Sequence, residues 1–401
     1  MLNEQSADVY QGVEQELNRR AYPEGFPPLP EVPVGRYTDP EFYDLEMKHF
    51  WPRTWLWAGH VSEVAEPGSY KLFTQLGQSI IITRGLDGEI RAFHNVCRHR
   101  GSALVAEDQG KARRLTCPYH AWTYGLDGRL LAVPEQERNF ACLDKDERGL
   151  IPVRCELMRG MIYLNLDGNA VPLADYFAAT ERELGNFPLD RMVVKGVVTL
   201  DMGCNWKAAY DNFLEIYHVS TVHAKTIAPY LNSQSFLVSL FKHGHARFAT
   251  RKRGASTIFG KDMIVPDAPS ALFKDHTIAL PMFPNTFVAI DPVGFGWQSW
   301  WPVGRDKSVM VVTLLGWEHQ DEAFWEGMAE QVRTIAAEDV HLFPSLQRAY
   351  ESGVLSGVLM AYQEQQLYWY QEEIDRQIGV ERIPEHLRIK QVLASQVRDG
   401  G

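Results

Sequence analysis

Three things are scarce in this chain of 401 residues. Cysteine is the first. The five cysteines, at 97, 117, 142, 155 and 204, are an odd count without regular spacing. That argues against a disulfide framework, so a reduced, cytoplasmic setting is the expectation. Long apolar runs are the second. None reaches the roughly 18 residues needed to span a bilayer. The opening Met-Leu-Asn-Glu-Gln-Ser-Ala-Asp lacks a basic segment leading into an apolar one, so no signal peptide is expected. Positive charge is the third. Forty Lys and Arg face 51 Asp and Glu, a net charge of −11, and a nucleic-acid binder would show a basic stripe instead. The acidic balance suits a dispersed soluble enzyme.

What is present divides into three stretches. Residues 1–45 hold a charged amphipathic run, Val9 to Arg20, and a Pro-rich segment from Pro23 to Pro33 that excludes regular helix. Residues 46–165 change to short β-branched runs near ten residues apart. Leu86-Asp-Gly-Glu and Leu126-Asp-Gly-Arg mark turns, and Met161-Ile-Tyr-Leu-Asn-Leu reads as a closing strand. The pattern predicts a small all-β domain. Residues 166–401 mix strands with helices, which predicts an α+β domain. Helices are expected over Leu173–Leu184, ended by Gly185, over Trp206–His218, and over long stretches of 320–350 and 360–378. The clearest strand is Val309-Met-Val-Val-Thr-Leu-Leu.

Two short motifs in the β region carry chemistry. Cys97-Arg-His99 and Cys117-Pro-Tyr-His120 lie with 17 residues between His99 and Cys117. Two thiolates and two imidazoles can close a tetrahedral zinc site. They can also hold a Rieske [2Fe–2S] cluster, with two Cys on one iron and two His on the other. Zinc fingers usually pair Cys with Cys and His with His. Here each loop supplies one of each, which suits two loops gripping a two-iron cluster. Structural zinc is the competing reading.

A second constellation is Asn212-Phe-Leu-Glu-Ile-Tyr-His-Val-Ser-Thr-Val-His223. Two histidines and a carboxylate with open positions suit a non-haem iron that activates oxygen. On a continuous helix, five residues turn a side chain by about 140° past a full turn. His218 and His223 can therefore converge only if the helix bends or ends between them. Val219, Ser220, Thr221 and Val222 are weak helix formers and favour that break. Taken singly, either histidine reads as an ordinary core or surface residue, and Glu215 as a flanking acid.

Cys-Arg-His-Arg-Gly (97–101) and Cys-Pro-Tyr-His-Ala-Trp (117–122) resemble the motifs of Rieske non-haem iron oxygenases, the large (alpha) subunits of the ring-hydroxylating type. Asn205-Trp-Lys, Asp211-Asn-Phe213, Glu215-x-Tyr-His218 and His223 continue the resemblance. It implies a small all-β Rieske domain (46–165) inserted in a larger α+β catalytic domain of helix-grip type (166–401), with an antiparallel sheet and long helices. The segment 1–45 would pack on the latter. It implies that Cys97 and Cys117 bind one iron and His99 and His120 the other. His218, His223 and Asp339 would hold a mononuclear Fe(II), with Glu338 as the fallback acid. Glu215, where the family often has Asp, would join His218 to His120 of the partner subunit in a homotrimer, with or without a small β subunit. Asn212 would influence the oxygen site. Tyr217 and Asp211 are supporting groups or packing.

The implied reaction uses O₂ and electrons from a separate reductase or ferredoxin, since the chain shows no nicotinamide or flavin fingerprint. Candidate pocket residues are Phe213, Phe236, Leu240, Phe283, Asn285, Phe287 and Trp297. His243, His245, Arg247, Arg251 and Arg253 share one strand parity, a basic face that is either solvated or aimed at a substrate carboxylate. Three functions compete. The first is hydroxylation of an aromatic compound, possibly a carboxylate. The second is oxidation of an N-methyl or quaternary amine, which needs an aromatic cage. The third is a Rieske electron carrier or a zinc-stapled binding protein without oxygen chemistry.

Overall fold

The computed structural model describes residues 4–184, 187–253, 272–290 and 294–398. The chain forms two units. One comprises 52–173 and 189–193; the other comprises 1–51, 174–188 and 194–401.

The smaller unit is built on the short β-branched runs. Its seven-stranded sheet runs in the order Leu56–His60, Met161–Asn165, Pro152–Met158, Ile90–His94, Ile80–Arg84, Ser69–Phe73, Gln109–Lys111. A three-stranded sheet is made by Leu115–Thr116, Thr123–Tyr124 and Leu130–Ala132. Ile80, Ile81 and Ile82 are all buried, so that strand is covered on both faces. Tyr70, Ile81, Phe93, Leu115, Trp122 and Tyr124 pack in one core with Cys97 and Cys117.

The larger unit is organised by an eight-stranded sheet, in the order Val193–Asp201, Lys307–Gly316, Phe295–Gly304, Thr286–Ile290, His276–Met282, Ala246–Arg251, Leu237–Phe241, Val397–Arg398. The pairings from Lys307–Gly316 through to Leu237–Phe241 are antiparallel; the last, short strand pairs parallel to Leu237–Phe241. Asn205 caps the helix Trp206–Phe213 by accepting the Lys207 N–H at 3.0 Å. Tyr210 and Phe213 then rest on Trp300 of the sheet, with ring centroids 5.0 and 4.6 Å away. The Tyr210 hydroxyl donates to the Thr286 carbonyl at 2.7 Å. A second long helix, Glu322–Val340, is capped by Asp321.

Some expectations change. The helix expected over 206–218 stops at Phe213. Beyond it, the Glu215 carboxylate accepts the backbone N–H groups of Tyr217 and His218, an alternative to continuing the helical ladder. A short turn of helix, Val219–Val222, follows, with His218 and His223 at its two ends. The 320–350 stretch is two helices, Glu322–Val340 and Phe343–Glu351, and the helix expected over 360–378 is Gln365–Ile378. Leu173–Leu184 is also split, into Leu173–Tyr176 and Ala178–Leu184, and Gly185 lies outside the described residues.

Candidate metal centres and substrate cavity

The two Cys–His loops have the same backbone plan. The Cys97 N–H donates to the Ser102 carbonyl at 2.9 Å, and the Gly101 N–H returns to the Cys97 carbonyl at 3.0 Å. In the other loop Cys117 N–H donates to Trp122 at 2.8 Å, and Ala121 N–H returns to Cys117 at 2.9 Å. The fifth residue of each loop is left-handed, Gly101 at φ 83° and Ala121 at φ 56°. Glycine takes that conformation without strain; alanine does not. The loops bring the rings of His99 and His120 to 4.6 Å, and His99 stacks flat on Trp122 at 4.9 Å.

Both thiols are buried and unpaired as disulfides. Burial alone would raise the Cys117 thiol pKa, but the backbone N–H groups of Tyr119 and His120, with the Cys97 thiol and Ser102, outweigh it and lower it. The Tyr124 hydroxyl lies 3.3 Å from the Cys97 sulfur and accepts the Arg98 N–H at 3.0 Å. His99 Nδ1 is buried and has no hydrogen-bond partner. An unsatisfied imidazole nitrogen, a neighbouring imidazole and two thiols fit a metal cluster with mixed Cys and His ligands.

The second centre assembles His218, His223 and Asp339, whose ligand atoms lie within 4.8 Å of one another. Asp339 sits in the last turn of the Glu322–Val340 helix and is buried. Its Oδ2 is 3.2 Å from His223 Nε2, and its Oδ1 is 3.7 Å from His218 Nε2. Oδ1 is buried and accepts no hydrogen bond. A buried carboxylate left in that state calls for a cation. The donor set, two imidazoles and one carboxylate, fits a non-haem iron with open positions.

Each imidazole is held from behind by a glutamate. Glu215 Oε1 bonds His218 Nδ1, and Glu338 Oε2 lies 2.7 Å from His223 Nδ1. Thr226 donates its hydroxyl to the same Glu338 oxygen at 2.5 Å. Fixing Nδ1 this way leaves Nε2 as the ligand atom on both rings. Burial alone would lower the His223 pKa, but Asp339 and Glu338 outweigh it and raise it. Glu338, the fallback ligand, therefore has a different task beside Asp339.

The metal-ligand group opens on a cavity of about 230 Å³. Phe213, Phe236 and Phe287 line it as expected, as do Asn212 and Glu215, the latter bonded to His218. The pocket residues that sequence reasoning missed follow simple periods. Met328, Val332, Ile335 and Ala336 lie on one helix face with Asp339, and the strand face carries Phe248 and Thr250. Counting back from Asp339 in helical steps would have found the first group.

Four pocket candidates, Leu240, Phe283, Asn285 and Trp297, and the basic strand face are corrected. Arg247 points to the opposite sheet face from Phe248, where it bonds Glu183, Asp8 and Ser239. Arg251 faces Glu14 on that same side. Arg247 and Arg251 thus meet acids of the N-terminal helix Glu4–Asn18 and Glu183 rather than the cavity, while His243 and His245 precede the strand and His245 bonds the Tyr176 carbonyl. Phe283 packs on Phe50 and Tyr370. Asn285 is buried and donates to the Trp300 carbonyl at 2.8 Å. Trp297 has the wrong parity, because its neighbours Gly296 and Gln298 face the cavity. Leu240 is likewise absent from the lining. Tyr217 is 73% exposed, whereas Asp211 is half-buried and accepts the Tyr37 hydroxyl at 2.7 Å.

Among the described residues no helix is long and apolar enough to cross a membrane. Residues 54–152 match the Rieske [2Fe-2S] domain model, and 189–380 match the ring hydroxylating alpha subunit (catalytic domain) model. The chain is 36% identical over 192 residues to the benzene 1,2-dioxygenase subunit alpha of Pseudomonas putida, covering 46% of this chain and 42% of that protein. It is 35% identical over 198 residues to the glycine betaine monooxygenase oxygenase subunit of Pseudomonas aeruginosa (strain UCBPP-PA14), covering 49% and 45%. It is 36% identical over 208 residues to the carnitine monooxygenase oxygenase subunit of Escherichia coli (strain K12), covering 50% and 55%. The matches span about half the length of these curated relatives. The fold matches an inhibitor complex of a quaternary ammonium Rieske monooxygenase with a TM-score of 0.78 at 22% identity, over 90% of this chain and 99% of that one. Naphthalene 1,2-dioxygenase from Rhodococcus sp. bound to indole matches at 0.72 and 22%, over 95% and 99%. With a Rieske [2Fe-2S] domain joined to a ring-hydroxylating catalytic domain, the chain belongs to the Rieske oxygenase alpha subunits.

Proposed function

We propose that the chain is a terminal oxygenase that hydroxylates a small, uncharged aromatic substrate. It would take O₂, and electrons from a separate reductase or ferredoxin. In this reading Cys97, His99, Cys117 and His120 hold the cluster, and His218, His223 and Asp339 hold the iron. When bound, the cluster supplies single electrons and the iron supplies oxygen activation.

The chain's own residues set the conditions. Glu215 and Glu338 orient the two imidazoles, and the helix residues from Met328 to Ala336 exclude water from the cavity. Asn212 lines the cavity with its side-chain Nδ2 buried and unpartnered, a donor that no protein group occupies. Glu215 supplies one half of an inter-subunit bridge, its bond to His218. The other half would be His120 of the partner subunit, in a homotrimer.

The observation that carries this reading is a two-histidine, one-carboxylate group opening directly on an apolar cavity lined by Phe213, Phe236, Phe248 and Phe287. Among its described lining residues there is no Lys or Arg, so the carboxylate version of the substrate has no counter-charge. The same four rings beside Glu215 favour one second reading, oxidation of an N-methyl or quaternary amine in an aromatic cage.

The test is NADH-driven oxygen uptake by the iron- and cluster-loaded protein with a surrogate reductase, scored by product mass. A gain of one or two oxygens on an uncharged arene is expected. Loss of CH₂ from an amine selects the second reading. Loaded protein that forms neither product from either panel overturns both.

A further inference from the structure

Resting on the oxygenase reading only for where the substrate sits, we infer that Gln298 orients that substrate. The substrate is therefore a ring bearing one uncharged hydrogen-bonding group. Alternate residues of five strands form the sheet side of the cavity: Phe248 and Thr250, Thr277 and Ala279, Phe287 and Ala289, Gly296 and Gln298, and Met310, Val312 and Leu314. The register sets Ala279 between Phe248 and Ala289, and Gly296 opposite Leu314, so small residues run across the middle. Gly296 cannot gain a Cβ there without meeting Val312 Cγ1 at 2.8 Å. In the adjoining row Gln298 stands between Phe287 and Val312.

The other amides and acids of the lining come from the helices and their connecting segments, and most are already committed. Glu215 is bonded to His218, Asp339 faces both histidines, and Gln331 has a partner of its own. Asn212 lines the cavity from the helix Trp206–Phe213, not from the sheet. Among the described residues that line the sheet side, Gln298 is the one amide or acid, and its side chain offers a donor and an acceptor with no protein partner. A hydrocarbon that displaces water from this cavity leaves that amide unpaired; a ligand with a hydroxyl, amine or carbonyl satisfies it. A site built to hydrogen-bond its ligand rejects the analogue that lacks the group.

Phenol and toluene test this, being close in size and differing in O–H against CH₃. Their affinities are measured by calorimetry on the iron- and cluster-loaded wild type, on Gln298→Leu, and on Thr277→Val. Matched thermal unfolding shows that the variants are folded. Wild type should bind phenol about tenfold more tightly than toluene. Gln298→Leu should abolish that preference, Gln298→Asn should restore part of it, and Thr277→Val should leave it intact. Equal wild-type affinities, a preference that survives in Gln298→Leu, a preference lost in Thr277→Val, or no binding of either ligand each overturns the assignment. These are binding outcomes and stand apart from oxygen uptake. An intact phenol preference without oxygenated product overturns the oxygenase reading alone.

Discussion

The two candidate metal-ligand sets of this chain are built by opposite strategies. The Cys–His set comes from two loops, each closed on itself by a pair of backbone hydrogen bonds within six residues. The His–His–Asp set takes two residues from a broken helix and the third from a helix more than a hundred residues later. A local loop places its ligands by turn geometry alone. The second set depends on how two helices pack around the sheet, so it is sensitive to changes far from the metal.

The largest effects should separate the two sets. Asp339→Ala and His223→Ala should lose the mononuclear iron while keeping the cluster's visible absorbance. Cys97→Ser should do the reverse. Iron analysis and absorbance on the same preparations check both. If Asp339→Ala retains a full complement of iron, the assignment of the acid is wrong.

Next is the removal of the buried Arg247. Its guanidinium is 3% exposed, and Glu183 opposite it is also largely buried. Arg247→Ala should destabilise the protein by about 3 kcal/mol, since it removes a buried guanidinium and breaks its ion pair with that carboxylate. KM for the substrate should be unchanged, because Arg247 is on the face away from the cavity. Urea unfolding and steady-state kinetics read the two parts; a raised KM would return Arg247 to the substrate site.

Asp211 gives a pH signature for the helix that leads into the iron site. Burial pushes its carboxyl up to about 7, against the opposing effects of the Tyr37 hydroxyl and Lys207. Its folded pKa lies above the unfolded one. Its contribution to stability is therefore complete below pH 4 and is lost as pH rises through 7. Unfolding free energies at pH 5.5 and 8 should fall by an order of 1 kcal/mol in wild type from this group, and Asp211→Asn should lack that component. Parallel pH profiles for the two proteins would refute it.

The smallest effect tests the likeness of the two loops. Ala121 occupies the left-handed position that Gly101 fills in the other loop. Ala121→Gly should be neutral or stabilising by up to about 1 kcal/mol, where the same change in an ordinary loop destabilises. Thermal unfolding of the cluster-loaded protein reads the sign.

How much of this was legible in the sequence follows the same division. Cys97, His99, Cys117 and His120 stood out because their spacing is itself the local geometry. His218 and His223 were legible as a pair, and so was the need for a break between them. What makes the break, the Glu215 carboxylate accepting the Tyr217 and His218 N–H groups, was not. Trp297 was misplaced because aromatic character does not say which face of a strand a residue takes, and a shift of one position reverses it. Phe283 and Asn285 were misplaced because they sit in the turn between the strands His276–Met282 and Thr286–Ile290, where strand parity does not apply.

By itself the sequence determined the ligand types, the β and α+β halves, and the two Asp-Gly turns, all of which depend on neighbours along the chain. Only the tertiary structure decided that Glu338 holds His223 from behind while Asp339 faces the site, and that Gln298 faces the cavity while Arg247 does not. Those choices depend on which side of a helix or sheet meets another element. Adjacent residues with the same chemistry, such as Glu338 and Asp339, differ only in that direction.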